Sequence, residues 1–266
     1  MLPRILIHSL KIQRKSFIFW TLAIVGLVIL YMAIYPSIKD SAKALNEYMQ
    51  KLPEAFKQAF IGTEDYTSAI GYLSSEVYTQ MLPILFLFYS IGTGSSAIAG
   101  EEDKGTLDII ISTPILRSRV ILEKFFSLAF GLLFLCFVVV VSLFIGTQVM
   151  DMNIDLGNLI AITFSLFLLA LNFGSLALLI GSFTGNKGVA IGLTTAVAIL
   201  AFFVNALAPI ADFLEKLQKF SPFYHYSANN PLRNGLDLGS VIFFICLASA
   251  FLILSIAAFE KRDLNV

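Results

Sequence analysis

Residues 125–150 read FFSLAFGLLFLCFVVVVSLFIGTQVM, a run that contains no Asp, Glu, Lys, Arg or His. A helix needs about 20 apolar residues to cross a hydrocarbon layer about 30 Å thick. A charged side chain at the middle of that layer costs roughly 2.5–3.5 kcal/mol on insertion scales. The run therefore predicts a membrane-spanning helix and indicates that lipid surrounds this part of the chain.

Uncharged runs of similar length recur on both sides of this one. We predict six membrane spans, at residues 17–35, 81–99, 125–147, 157–182, 188–210 and 239–259. The predicted fold class is therefore all-α, a polytopic membrane protein with a single transmembrane domain over residues 1–266.

The composition supports a bilayer environment and excludes several kinds of site. Hydrophobic residues make up 58% of the chain and charged residues 14%, whereas soluble domains carry about 25% charged residues. The 18 basic and 18 acidic residues balance, so we expect no basic surface for nucleic acid. Cys136 and Cys246 each lie inside an apolar run, so they form neither a Cys-x-x-Cys zinc motif nor a disulfide framework.

The predicted spans also lack the side chains of a catalytic or cofactor site. Proton relays and metal centres need ionisable groups at depth, and both histidines, His8 and His225, lie outside the spans. Residues 181–187 come nearest to a phosphate-binding loop but do not have its spacing, Gly-x-x-x-x-Gly-Lys-[Ser/Thr]. We expect no catalytic residue, no metal site and no cofactor in this chain, so the energy for uphill transport would come from a partner.

Basic residues are concentrated on one side of the predicted bundle. Six spans put both termini on the same side as the loops that follow the second and fourth spans. That side carries eleven of the 18 basic residues: Arg4, Lys11, Arg14, Lys15, Lys104, Arg117, Arg119, Lys124, Lys187, Lys261 and Arg262. Short loops rich in Lys and Arg face the cytoplasm. We therefore predict cytoplasmic termini in a multi-pass protein of the cell membrane.

Segments outside the spans have the pattern of amphipathic helices. Residues 2–15 separate apolar from basic positions, which predicts an N-terminal helix in the cytoplasmic interface. A basic solvated tail is the alternative. Residues 36–80 and 210–217 repeat apolar side chains at spacings of three and four, which predicts short outer helices. These helices either cap an exit path or act as inert interfacial connectors.

Small residues recur at the spacing that permits close helix contact in membranes. Gly188-xxx-Gly192 together with Ala196 fits either packing within the subunit or an interface between two subunits. Small residues around Gly94 and Gly174 fit packing within the subunit.

The loop between the second and third spans is unusually apolar. Residues 100–124 read GEEDKGTLDIIISTPILRSRVILEK. Thr106 is a suitable N-cap, Asp108 would lie near the positive end of the helix dipole, and Pro114 would stop the helix. The sequence therefore predicts a short helix of about two turns with Leu107 and three isoleucines on it. An apolar surface of this kind indicates a partner.

This loop resembles the signature of ABC transporter permeases of the type-2 export class. The matching positions are Glu101, Gly105, Thr106, Leu107, Asp108, Thr113-Pro114, Arg117 or Arg119, and Lys124. Residues 221–223 ahead of Gly235, and residues 259–264, are similar to that family's endings. The sequence departs from the pattern where Asp108 replaces the usual Glu and where Glu102-Asp103 adds acidity.

The resemblance implies a membrane half made of two permease subunits, identical or homologous. Each would engage a separate ATPase subunit, and that subunit would bind the ATP and Mg²⁺. The short helix would be the cytoplasmic coupling helix, seated in a cleft of the ATPase. The implied contact residues are Glu101, Glu102, Gly105, Thr106, Leu107, Asp108 and Pro114. Arg117, Arg119 and Lys124 would contact lipid phosphates or the ATPase, or would only anchor the loop at the cytoplasmic surface.

From these features we expect an ATP-driven exporter permease for a hydrophobic or amphipathic substrate such as a peptide, a drug or a lipid. One alternative is a membrane partner of an ATPase in a sensory or assembly complex that moves nothing. Another is an ion-coupled carrier or channel, which the absence of charge in the spans disfavours.

Overall fold

The structure, a computed structural model, describes residues 4–41, 68–107 and 115–262 and contains no strand within those ranges. Its helices in chain order are α1 Arg4–Ile12, α2 Arg14–Asp40, α3 Ala69–Tyr72, a π-helix Leu73–Met81, α4 Leu82–Ser96, α5 Ala99–Glu102, α6 Arg117–Val149, α7 Leu156–Thr184, α8 Lys187–Leu207, α9 Asp212–Gln218, α10 Pro222–Ser227, α11 Pro231–Asn234 and α12 Leu238–Lys261. The predicted all-α polytopic class is confirmed.

Five of these helices are long and apolar enough to cross a membrane, namely α2, α6, α7, α8 and α12. They coincide with five of the six predicted spans. The remaining span, 81–99, lies in a helical stretch that is divided into α3, the π-helix and α4, and no piece has 18 residues. That sixth membrane crossing stays a prediction.

The divided stretch nevertheless passes along the bundle from one end to the other. Near its start, the Tyr72 hydroxyl donates to the backbone carbonyl of Tyr31, late in α2, over 2.9 Å. Near its end, the Tyr89 hydroxyl donates to Gln13 Oε1, just before α2 begins, over 3.2 Å. The stretch is therefore antiparallel to α2 over most of the length of α2.

Helix α7 forms the centre of the bundle. Of the residues in its most apolar stretch of 18, 83% are buried. Small residues on α4 and α7 let these two helices touch at their backbones. A side-chain carbon on Gly94 would collide with the carbonyl oxygen of Gly174, and one on Gly181 would lie 3.5 Å from the carbonyl oxygen of Ser95. Close packing within the subunit, as predicted for these residues, is confirmed.

Side-chain caps fix where three of the long helices begin. The carboxylate of Asp155 accepts a hydrogen bond from the backbone N–H of Asn158 over 3.0 Å. Asn186 and Asp237 cap α8 and α12 in the same way. Each cap satisfies an N–H that has no partner within its own helix. The first residues of these three helices are therefore set by local sequence.

The short helices after α8 pack against the bundle end opposite the chain termini. Helix α9 is present where the apolar spacing predicted it, with Phe213 and Leu217 exposed. In α10, the Tyr226 hydroxyl donates to the backbone carbonyl of Tyr78 in the π-helix over 2.6 Å. The predicted helices within residues 42–67 lie outside the described residues.

Helix α1 packs against the first turns of α6. The backbone N–H of Leu6 donates to Glu123 Oε2 over 3.1 Å, so this carboxylate lies at the positive N-terminal end of α1. Ser9 is buried, whereas His8 and Lys11 are exposed. The helix and its polar face agree with the prediction, and its position in a membrane interface stays a prediction.

Candidate functional site

Charged side chains from distant parts of the chain meet at the end of the bundle that carries the termini. We call this group the polar cluster, and its members are Glu101, Glu102, Arg117, Arg119, Glu123, Lys124 and Arg262. Its central contact is between Lys124 Nζ and Glu101 Oε1, at 2.8 Å, where the lysine side chain is only 8% exposed. Burying an ammonium group is costly unless a carboxylate pairs with it. Glu101 therefore holds the start of α6 against α5.

Two arginines extend the polar cluster to the end of α12. Arg117 Nη1 donates to the backbone carbonyl of Arg262 at 2.9 Å and to that of Phe259 at 3.3 Å. These carbonyls have no partners within their helix, and a cation is favourable at this negative end of the helix dipole. The Arg262 side chain in turn binds the Glu102 carboxylate. The ends of α5 and α12 are thus joined to the start of α6.

Gly105 ends the α5 turn in a left-handed conformation with φ 65°. The N–H of Thr106 donates to the carbonyl of Glu101, and the N–H of Gly105 donates to the carbonyl of Glu102, each over 2.9 Å. This pair of bonds is the Schellman arrangement that terminates helices at a glycine. The Thr106 hydroxyl also donates to the Glu101 carboxylate. The spacing Glu-x-x-x-Gly-Thr therefore has a local structural cause.

Leu107 is buried within its own chain, at 2% exposure. It belongs to a small apolar cluster with Ile98, Val120, Ile121, Leu178 and Phe259, and Ile115 packs against the same cluster. The residues on both sides of 108–114 are thus held against the same helices. Asp108 and Pro114, two of the implied ATPase contacts, lie outside the described residues.

The environment of Glu101 lowers its pKa. Burial by itself would raise the pKa of this carboxyl group, but hydrogen bonds from Lys124 and Thr106 and the positive charges of Lys124 and Lys104 outweigh that effect. Glu101 is therefore ionised at neutral pH. A charged carboxylate is what the buried ammonium of Lys124 requires.

The described residues contain no evident metal site. Among these residues, no group of three or more His, Cys, Asp or Glu side chains is placed to hold a metal ion. What the arrangement offers instead is a mechanical connection between α5, α6, α7 and α12 at one end of the bundle.

Comparison with known proteins gives the family. Residues 4–264 match the family described as ABC-2 family transporter protein. The chain belongs to this family.

A weaker likeness points in the same direction. The chain is 29% identical over 225 residues, covering 77% of this chain and 86% of the relative, to an uncharacterized membrane protein, YdbK, of Bacillus subtilis strain 168. Membership of the ABC-2 family supports a permease subunit of a transporter and, in general, association with an ABC ATPase.

The predicted site residues of this ABC-2 chain fall into two separate regions. Glu101, Glu102, Thr106, Arg117 and Lys124 come together in or beside the polar cluster, where they contact one another and α12. Arg119 lies at its edge, with its Nε 2.9 Å from Glu123 Oε1 and its side chain 40% exposed.

The second region is the outer face of α8. Gly188, Gly192 and Ala196 are exposed on this helix, and a side-chain carbon on Gly192 would meet nothing within 4 Å. Among the residues that the structure describes, no neighbouring helix covers the backbone at Gly192.

Sequence reasoning missed three residues of the polar cluster region. Glu123 caps α1, and Arg262 binds Glu102. Phe259 packs in the small apolar cluster with Leu107. The guanidinium carbon of Arg117 lies 5.9 Å from the centroid of the Phe259 ring. Their roles depend on contacts between residues more than 100 positions apart, so no local spacing indicates them. The available signals were the acidic residue Glu123 at the start of a span and the resemblance of residues 259–264 to that family's endings.

Proposed function

We propose that this ABC-2 chain is the non-catalytic membrane permease of an ATP-driven exporter. Two copies, or this chain and a homologue, would form the membrane half, and a separate ATPase subunit would bind ATP and Mg²⁺ and engage each of them. The cargo would be hydrophobic or amphipathic, such as a peptide, a drug or a lipid. Family membership supports the permease role, and the export direction, the second permease and the cargo are parts of the proposal.

The packing of the described residues on either side of 108–114 is the observation that supports the coupling role. On one side Leu107 is buried against α6, α7 and α12, and on the other Ile115 packs against the same cluster. Arg117 then fixes the start of α6 to the carbonyls that end α12. A force applied to residues 108–114 by an ATPase would reach three long helices directly.

The proposal places both termini, the polar cluster and residues 108–114 in the cytoplasm. The contacts of Leu6 with Glu123 and of Arg262 with Glu102 put the two ends of the described chain at one end of the bundle. The excess of Lys and Arg at that end supports a cytoplasmic position. A cell-membrane location follows if the chain pairs with a cytoplasmic ATPase.

The test is reconstitution with an ABC ATPase, sought first among the products of the genes beside the one for this chain. The two proteins are expressed together, purified in mild detergent and placed in liposomes. Transport is measured with a fluorescent phospholipid, a cationic dye and a labelled hydrophobic peptide. We expect the ATPase to copurify and at least one probe to move in an ATP-dependent manner. A complex that hydrolyses ATP but moves none of the probes would favour the non-transporting alternative, and failure to copurify would contradict the coupling role.

Two variants test the attachment itself. Gly105→Pro cannot adopt the left-handed backbone of the α5 terminus, and Leu107→Asp puts a charge into the small apolar cluster. We expect both variants to insert normally and to hydrolyse ATP in the complex while losing most ATP-dependent transport. Lys216→Ala, on exposed α9 at the other end of the bundle, is the matched control and should transport normally. Unchanged transport in both test variants would exclude this segment as the coupling element.

A further inference from the structure

A cavity of about 330 Å³ lies at the bundle end that carries the termini. Its walls come from α1, the start of α2, the second half of α4, the α5 turn and the start of α6. The volume lies within the range of about 300–1,000 Å³ that is usual for small-ligand sites. The cavity adjoins the polar cluster, since Glu101 and Lys124 belong to its wall.

Two buried serines in the wall of this cavity have no hydrogen-bond partner. Ser9 is 5% exposed and Ser127 is 2% exposed, both line the cavity, and neither hydroxyl oxygen makes a hydrogen bond. Buried polar groups are nearly always paired, because a buried hydroxyl without a partner is costly. Two such groups in the wall of one cavity favour an occupant that can form hydrogen bonds.

The charge of the wall favours an anion. Its ionisable side chains are Lys104, Lys124 and Glu101, so two ammonium groups face one carboxylate. Lys124 is already paired with Glu101, whereas Lys104 is exposed at the rim. Both lysines act on the one carboxylate, so the wall carries one net positive charge, and the two serines belong to the same wall.

The mouth of the cavity is apolar. Ile12 and Phe88 are 62% and 68% exposed at its edge, and Trp20 forms part of the wall beside them. Exposed aliphatic and aromatic side chains on helices of this hydrophobicity face lipid chains. An occupant that satisfies both parts of the cavity must have an anionic polar group and an apolar tail.

We propose that this cavity binds the phosphate headgroup of an anionic membrane phospholipid. The phosphate oxygens accept hydrogen bonds from Lys104, Ser9 and Ser127, and the acyl chains leave past Phe88 and Ile12. Basic pockets between transmembrane helices bind lipid headgroups on this physical basis. The site does not depend on any ATPase partner, so it stands or falls separately from the proposed transport function.

The chain provides its own reporter, because Trp20 in the cavity wall is the single tryptophan. Purified full-length chain in detergent is titrated with phosphatidylglycerol that carries brominated acyl chains, which quench tryptophan fluorescence on contact. Phosphatidylcholine with the same brominated chains is the reference lipid. We expect half-maximal quenching by phosphatidylglycerol at a mole fraction about fivefold lower, the factor that one lysine near a membrane surface provides.

Variants then connect the quenching to the cavity. Lys104→Ala should weaken phosphatidylglycerol quenching about fivefold and leave phosphatidylcholine quenching unchanged. The double variant Ser9→Ala with Ser127→Ala should weaken it by a similar factor. That double variant removes only unpaired hydroxyls, so it should fold at least as well as the natural chain. Lys216→Ala on α9 is the control and should quench like the natural chain.

Three results would overturn the proposal. Equal quenching by the two lipids would show nonspecific contact with the annulus of lipid around the protein. Unchanged phosphatidylglycerol quenching in both test variants would show that the cavity holds only water. Complete displacement of the brominated lipid by inorganic phosphate at millimolar concentration would assign the site to a free phosphate and not to a lipid, whereas no displacement supports the lipid headgroup.

Discussion

Lys124 shows at the scale of one residue how this chain places charge beside a membrane. The side chain is 8% exposed, and its ammonium group is paired with Glu101 at 2.8 Å. Removing one partner of a buried pair leaves the other uncompensated, which costs more than the pair itself contributes. The signature position Glu101 therefore has a structural role within the chain in addition to the ATPase contact proposed for it.

Glu101→Gln should destabilise the chain by roughly 1–3 kcal/mol at neutral pH, because the buried ammonium of Lys124 loses its counter-charge. The pKa of Glu101 is lowered in the folded chain, so its stabilising effect is complete above the ordinary glutamate value of about 4.3. The effect disappears as the pH falls through the lowered value. Thermal unfolding in detergent between pH 7 and pH 3 measures the difference between the two proteins.

The control for that comparison is Glu215→Gln on exposed α9, which should unfold like the natural chain at every pH. A Glu101→Gln variant with unchanged stability at pH 7, or with a difference that grows toward low pH, would contradict the role of the ion pair.

Arg117→Ala should loosen the last turn of α12, because the backbone carbonyls of Phe259, in that turn, and of Arg262, just after it, accept hydrogen bonds from the Arg117 guanidinium. Hydrogen bonds to a charged group contribute about 1.5–3 kcal/mol, so backbone amides in the last turn of α12 should exchange hydrogen at least about tenfold faster. Arg119→Ala removes only a pair whose arginine is 40% exposed and should change exchange there little. Equal exchange in the two variants would show that Arg117 does not cap α12.

At the scale of elements, the contact between α4 and α7 decides how the bundle packs. Helix association in membranes depends on close van der Waals contact and small residues, and Gly94 lies directly against the backbone of Gly174. The sequence predicted this packing from the small residues around Gly94 and Gly174. It did not predict the π-helix Leu73–Met81, in which the carbonyl of Tyr78 accepts a hydrogen bond from Tyr226, 148 positions later.

Gly94→Ala should lower the thermal unfolding temperature and the yield of monodisperse protein, because its methyl group collides with backbone that cannot move aside cheaply. Overpacking of this kind costs about 1–3 kcal/mol or more. Gly26→Ala in α2 is the matched control, since nothing lies within 4 Å of the added carbon, and it should be neutral or more stable by up to about 1 kcal/mol. Equal stability of the two variants would contradict backbone contact between α4 and α7.

At the scale of the whole molecule, the charge pattern of the sequence was sufficient to locate five long helices. Long uncharged runs have one low-energy arrangement in lipid, so their positions follow from local sequence. The polar cluster could not be read in this way, because Glu102 and Arg262 are separated by 160 positions and many carboxylates could in principle have served as partner. Leu107, expected as a surface contact, is buried in its own chain for the same reason.

The exposed face of α8 leads to a prediction about assembly. If Gly188, Gly192 and Ala196 form the contact between two permeases, Gly192→Cys in a Cys246→Ser background should form an intermolecular disulfide on mild oxidation in membranes, because the two α-carbons would lie within about 7 Å. Cys136 is buried and should stay reduced. Ala257→Cys on the exposed face of α12 is the control. Crosslinking of the control but not of Gly192→Cys would place the interface elsewhere.

The contacts of Arg262 within the polar cluster also set an order of events during biosynthesis. Chains are made from the N-terminus, so Glu102 and Arg117 leave the ribosome long before Arg262, which completes their contacts 160 and 145 positions later. Until Arg262 is made, Glu102 and Arg117 lack these contacts. Synthesis of Arg262 therefore completes the polar cluster, and a chain truncated before this residue would leave Glu102 without this partner.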